Sequence, residues 1–487
     1  MLSAPDLTVL VAYLVAVVGI GLWFGRRGSS PNEYMAANRT LPGWAVGLSM
    51  FGSYVSSISF LANPGKAYAH NWNPFVFSIA TPIAAAVAIR WFMPFYRHSG
   101  EISAYEHLEH RFGPWARTYA VVCFLLYQMA RMGTVIYLLA LAAGPLTGWP
   151  VEATIVVTGA LMTIYTLAGG IKAVVWTGVL QSAVLVAGTL LCLAAIVLKA
   201  PGGIREIIQV GATDGKFSLG SFGPSLATST FWVVFVFGLF THLTNFGVDQ
   251  SYVQRYITAR NDREAAKSIW ITAWLYPPVA AVFFFIGTGL YVFYGDRLDL
   301  SPDKVFPHFI ATELPAGLAG LVVAAIFAAS MDSNLNSMAT LTYCDVYQRY
   351  LRPGAGPREA MWVLYSSTAF WGVASVAVAL AMIQVGTVLD AWWNLAGIFS
   401  GGVLGLFLLG LVTRRADNVA GAIAVVVGAL VIFWMTLPQL MDVPPWLRNP
   451  LHAYLTIVVG TLTIFLVGLG VTRIHSLVRP TADAERV

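Results

Sequence analysis

The chain has 487 residues, of which 57% are hydrophobic and only 10% charged, with a net charge of +5 and a mean hydropathy of +0.71. An ordinary soluble domain carries about 25% charged residues, so this composition excludes a soluble enzyme, a coiled coil and a disordered scaffold, and calls for a bilayer as solvent. The positive balance would suit nucleic acid only if Lys and Arg gathered on one face.

Apolar runs of about 20 residues, long enough to cross a bilayer, recur along the chain. Thirteen are expected, at about 6–25, 42–63, 74–96, 115–143, 151–168, 174–198, 229–249, 266–294, 315–345, 360–383, 388–411, 418–437 and 452–472. The first has no basic residue before it and no small-residue cleavage site, so it reads as a retained helix. One set of loops and span ends holds 20 of the 28 basic residues, including Arg97, Arg117, Arg255 and Arg349, and the opposite set holds 7, including Lys66, Lys199 and Lys216. That bias predicts an N-terminus outside and a C-terminus in the cytoplasm of a bacterial-type inner membrane. It also argues against a nucleic-acid partner, because the charges are spread as a membrane protein spreads them. The single membrane domain is expected over 1–475, with a polar tail over 476–487. No loop is long enough for a second domain.

Polar residues inside the hydrocarbon region are costly and usually face a bundle interior or a water-filled cavity. In the second run, Gly52-Ser53-Tyr54-Val55-Ser56-Ser57-Ile58-Ser59 precedes Asn63-Pro64-Gly65. Such a stretch weakens a helix and offers hydroxyls and freed carbonyls to a hard cation, or else forms a small-residue packing face. In the fourth run Arg131 follows Gln128 by about one turn. Arg keeps its proton, so it needs an anion, either a solute carboxylate held bidentately or Asp332, or else it bonds carbonyls in a structural role. The seventh run carries His242, Thr244, Asn245, Phe246, Gly247, Asp249 and Gln250, a polar segment that is either a second interruption or a helix end. With run 6–25 peripheral, runs 2–6 (42–198) and 7–11 (229–411) make two five-helix halves of opposite orientation. Interrupted helices at matching positions of two halves point to a transporter's binding site. The last two runs, 418–472, are peripheral.

The ninth run contains Ala329-Ser330-Met331-Asp332-Ser333-Asn334. An ionised Asp332 in mid-membrane needs a cation, and otherwise stays protonated and ties two helices together. Glu106-His107-Leu108-Glu109-His110 reads as a solvated cytoplasmic face, and Asp249 with Arg255 and Asp345 with Arg349 read as cytoplasmic-end pairs or gates. Cys123, Cys192 and Cys344 are isolated. There is no P-loop, G-x-S-x-G, H-E-x-x-H or redox pair, so no enzyme is expected.

Three segments resemble the sodium:solute symporters: Gly169-Gly170-Ile171-Lys172-Ala173-Val174-Val175-Trp176-Thr177-Gly178-Val179-Leu180-Gln181, Asp249-Gln250-Ser251-Tyr252-Val253-Gln254-Arg255, and Gly317-Leu318-Ala319-Gly320-Leu321 through Asn336-Ser337-Met338-Ala339-Thr340. The likeness runs from about 5 to 475. Leu41-Pro42-Gly43-Trp44 and Ile102-Ser103-Ala104-Tyr105-Glu106 look most like the bacterial sialic-acid branch. The resemblance implies an all-α membrane protein with two inverted five-helix repeats, a LeuT-like core, and alternating access around a central site. It implies a sodium site at the carbonyls of Gly52, Val55 and Ile326 and the hydroxyl of Ser330, with Ala329 where the family usually has a second hydroxyl. A further sodium in some members uses an Asp at the position of Gly178. The same site draws on positions matching Asp332 and Ser333, so Asp332 is expected to supply the carboxylate from another helix. The implied solute pocket includes Ser53, Tyr54, Ser56, Ser59, Ser78, Gln128, Arg131, Asn245 and Phe246, with Tyr54 replacing a Thr and Ser78 a Gln. The expected function is sodium-coupled import of a small organic solute, a carboxylate such as a sialic acid or another organic acid. The alternatives are a neutral sugar held by Asn245 and Gln128, or proton coupling through Asp332.

Overall fold

The computed structural model describes residues 2–25, 30–295, 300–331, 334–384, 402–413 and 415–478. These residues form helices and their connections, with one isolated bridge between Leu41 and Ala259. Among them nine helices are long and apolar enough to cross a membrane, and eleven spans result if each of two bent pairs counts as one.

The expected runs 151–168 and 174–198 appear as one stretch, Val151–Lys199, of 49 residues. At 1.5 Å per residue this is about 73 Å, more than twice the hydrocarbon core. Gly170, at φ 55 and ψ −148, kinks it into two helices. Run 388–411 lies largely outside the described residues, and Gly402–Val412 is its described end.

Both interruptions expected from polar content are present. Gly43–Tyr54 and Ser57–Ala69 are separated at Val55 and Ser56, with a bend of 51°. Val55 leaves the helix at φ −95 and ψ 88. Phe231–Gly247 and Gln250–Ile257 are bent by the same angle. There Asp249 caps the second piece, its Oδ1 accepting from the Ser251 N–H at 2.8 Å, as short polar side chains do at a helix start. The ninth run is described as the helices Leu318–Ser330 and Leu335–Leu341.

The first half-helix, Gly43–Tyr54, is clamped from both sides. Its Gly43 N–H donates to Glu264 at 2.5 Å, an anion where the helix dipole is positive. Thr272 donates to the Gly47 carbonyl at 2.9 Å and Ser182 to the Leu48 carbonyl at 2.6 Å. Gly178 lets the long kinked helix approach this closely, because a Cβ there would lie 2.5 Å from Ser49 Oγ and 3.0 Å from Ser49 Cα.

At the end of the bundle that carries most basic residues, Arg97 pairs with Asp262 at 2.5 Å and Arg117 with Glu109 at 3.0 Å. Asp345 pairs with Arg117, and Arg349 with Glu109, which corrects the expected Asp345–Arg349 pair. The reason is direction: Asp345 is buried toward Arg117, whereas Arg349 faces outward. His107 and His110 do not act together. The His107 ring lies 4.5 Å from the Phe95 ring, and burial pushes its pKa down to about 4, while His110 faces Glu101 at 3.7 Å.

Gly170→Ala tests the kink. The positive φ penalises any Cβ, and this one would sit 2.8 Å from the Tyr34 carbonyl oxygen. The variant is expected to lose about 2 to 4 kcal/mol, read as a lower Tm of the detergent-purified protein. An unchanged Tm would show the kink to be unstrained by a side chain.

Candidate solute and sodium site

Pro114–Thr147 supplies Gln128 and Arg131 three residues apart, hence on one helix face. Arg131 donates from Nη2 to the Ser53 carbonyl at 3.0 Å, a backbone oxygen beside the interruption. Gln128 is fully buried. Its Nε2 donates to Asp249 Oδ2 at 3.1 Å and to Ser251 Oγ at 3.2 Å, and its Oε1 accepts from Asn334 Nδ2 at 2.9 Å. One helix face therefore reaches both bent helices and Asn334 of the ninth run. Arg255 also turns inward and donates from Nη1 to Ser53 Oγ.

The expected site residues fall into three cavities. Ser53, Ser56, Arg131, Ala329, Ser330 and Asn334 share one, with Met132, Val135 and Met162 as its apolar wall. This cavity brings together solute and sodium candidates that are distant in sequence. Ser59 and Ser78 line a second cavity with Lys66 and several aromatic rings. Asn245 lines a third, with Tyr105, Tyr127, Thr244 and Asp249. Between them stands a ring cluster. Tyr54 has centroid separations of 5.5 Å to His242, 5.4 Å to Phe246, 5.1 Å to Tyr252 and 5.2 Å to Tyr276. Phe246 is fully buried in it.

The sodium candidates offer oxygen only, as a hard cation requires. Gly52 and Val55 bracket the end of the first half-helix, where the chain leaves helical geometry. Across the cavity, Ser330 Oγ donates to the Ile326 carbonyl at 2.8 Å, which holds two oxygens side by side and leaves the hydroxyl's lone pairs to accept. Ala329 contributes a methyl to the wall and no side-chain oxygen. The Gly178 position has no room for a carboxylate, as its contact with Ser49 makes plain. Asp332 and Ser333 lie outside the described residues.

Asp249 was legible in the sequence as a polar residue but not as a network member. Its two carboxylate oxygens join the helix start at Ser251 to Gln128. Asn334 was likewise part of a polar stretch whose direction only packing reveals.

Residues 34–429 match the model of the sodium:solute symporter family. The chain is 34% identical over 438 residues to the sodium/sialic acid symporter SiaT of Proteus mirabilis, covering 87% of this chain and 88% of that protein. It is 28% identical over 466 residues to the human sodium-coupled monocarboxylate transporter 1, covering 92% and 76%. A solved structure of a sodium-coupled sialic acid symporter, substrate-bound and outward-open, matches with a TM-score of 0.88 at 28% identity, over 97% of this chain and 98% of that one. By sequence over most of its length, and by fold, the chain belongs to the sodium:solute symporter family.

Proposed function

We propose that this protein imports a carboxylate solute of the sialic-acid kind, driven by sodium and by alternating access. The observation that carries the reading is the single cavity shared by Arg131, the Ser53–Ser56 interruption and Ala329–Ser330. A cation suited to a carboxylate and oxygens suited to sodium thus meet at one interrupted helix. The solutes named for the relatives, sialic acid and monocarboxylate, share that carboxylate. In this reading Ser53, Ser56 and Arg131 contact the solute directly, and Gln128 positions the second interrupted helix. Residues 42–198 and 229–411 form the two inverted repeats. The N-terminus is outside and the C-terminus cytoplasmic, which rests on the bias of basic residues.

Sodium's part is thermodynamic. One charge moving down 100 mV yields about 2.3 kcal/mol, roughly 50-fold in solute accumulation. It is transmitted only if sodium favours the solute-binding conformation. A shared interruption supplies that differential, because ordering it for one ligand orders it for the other.

For the second sodium we propose that Asp332 provides the carboxylate that Gly178 cannot. The tight contact between Gly178 and Ser49 supports this displacement.

The test is uptake into liposomes of labelled sialic acid, lactate and glucose, with and without an inward sodium gradient. Sialic acid uptake is expected to require sodium. Sodium-free, pH-driven uptake would instead favour proton coupling, and glucose uptake alone would favour the sugar reading. Arg131→Gln is expected to weaken carboxylate uptake by about tenfold or more, through loss of a charged hydrogen-bond donor, in KM more than in stability. Asp332→Ala is expected to lower the steepness of the sodium dependence, and retention of the full wild-type sodium dependence would sink its assigned role.

A further inference from the structure

The second cavity has a chemistry of its own. It measures about 140 Å³, about ten times what one water needs. Its walls are mostly aromatic and aliphatic, and its polar groups come from Ser59, Asn63, Lys66, Ser78 and the tyrosines Tyr276 and Tyr454. Ser59, Asn63 and Lys66 follow one another at helical spacings of four and three, so they form a stripe along one face of Ser57–Ala69. The Ser78 hydroxyl donates to the Phe75 carbonyl at 2.7 Å, which leaves its lone pairs to accept. An apolar cavity with a few converging polar groups is the usual form of a small-molecule site.

Lys66 is the charged residue of that wall, and it is half-buried. Neither an ion pair nor a hydrogen bond links its ammonium group to another described residue. The neighbouring His452, whose pKa is lowered by burial and by the Lys66 charge, gives it no counter-ion. A lysine placed in an apolar cavity with no described carboxylate beside it is completed by an anion from outside. The cavity meets the ring cluster at Phe77 and Tyr276: the Phe77 ring lies 4.4 Å and the Tyr276 ring 6.0 Å from His242. Tyr54, whose ring lies 5.2 Å from the Tyr276 ring, follows Ser53, whose carbonyl Arg131 holds. Lys66 also belongs to the sparse set of basic residues on the side that the charge bias assigns to the exterior.

We propose that Lys66, with Ser59 and Asn63 on the same helix face, forms an outer subsite that binds the solute's carboxylate before it passes the Tyr54 ring cluster to Arg131. The proposal rests on the carboxylate reading above. It assigns the two cations successive roles, Lys66 at the outer station and Arg131 at the inner one. It also explains why Ser59 and Ser78 lie apart from Ser53 and Ser56.

The test uses the full-length protein in liposomes with an inward sodium gradient and labelled sialic acid from outside. Lys66→Gln is expected to raise KM by about tenfold with the maximal rate within about twofold, Lys66→Glu to raise it further, and Lys66→Arg to keep the wild-type value. Equal Tm values for the variants separate this from a folding defect. Wild-type KM values in both Lys66→Gln and Lys66→Glu, in a preparation where the wild type transports, would overturn the outer subsite and leave the function standing. A wild type that takes up neither sialic acid nor lactate overturns the carboxylate reading, and the subsite with it.

Discussion

A helix interrupted inside a membrane must find partners for the backbone groups it frees, because the surrounding hydrocarbon offers none. Among the described residues this protein bends two helices sharply, at Val55–Ser56 and at Val248–Asp249, and answers them from one place. Arg131 takes the Ser53 carbonyl, while Gln128 links Asp249 and Ser251 to Asn334. Such a buried polar network favours one arrangement of the bundle, since alternatives strand further polar groups in low dielectric. The clamp on Gly43–Tyr54 by Glu264, Thr272 and Ser182 completes it from outside the cavity. The rest of the architecture is built around holding these interruptions together.

The same arrangement explains how a sodium gradient does work on a solute. Coupling needs one element whose conformation both ligands bias. In the function proposed above, the Gly52–Ser56 segment is that element, with its carbonyls assigned to sodium and its serines and the Arg131 contact to the solute. A guanidinium has five N–H donors, so holding the Ser53 carbonyl and receiving a carboxylate are compatible. Membership of the sodium:solute symporter family agrees with a site of this construction.

The ring cluster round Tyr54 divides the interior. Its members come from both interrupted helices and from Asp262–Tyr294, so repacking them couples the cavity that holds Lys66 to the one that holds Arg131. Aromatic rings suit a divider, because they fill volume without adding orphaned polar groups, apart from hydroxyls such as that of Tyr54, which is buried without a hydrogen-bond partner of good geometry.

The sequence by itself determined the class of the protein. Ten per cent charge, long apolar runs and the spread of basic residues demand a helical bundle in a bilayer, and polar residues such as Ser56, Arg131 and Asp249 cost too much in hydrocarbon to be anything but functional or paired. Interruptions at Ser53–Ser59 and Asn245–Asp249 were legible because short polar residues and glycines weaken helices locally. Partnership was not legible. Gln128 reads equally as a solute ligand and a network member until Asp249, Ser251 and Asn334 are brought to it, and Ser59 reads like Ser53 until packing sends it to the cavity of Lys66. Asp345 pairs with Arg117 rather than its neighbour in sequence for the same reason. Local sequence controls where a helix breaks and which groups are costly to bury. Which groups meet depends on the direction in which each helix face is packed, and that is a property of the assembled bundle alone.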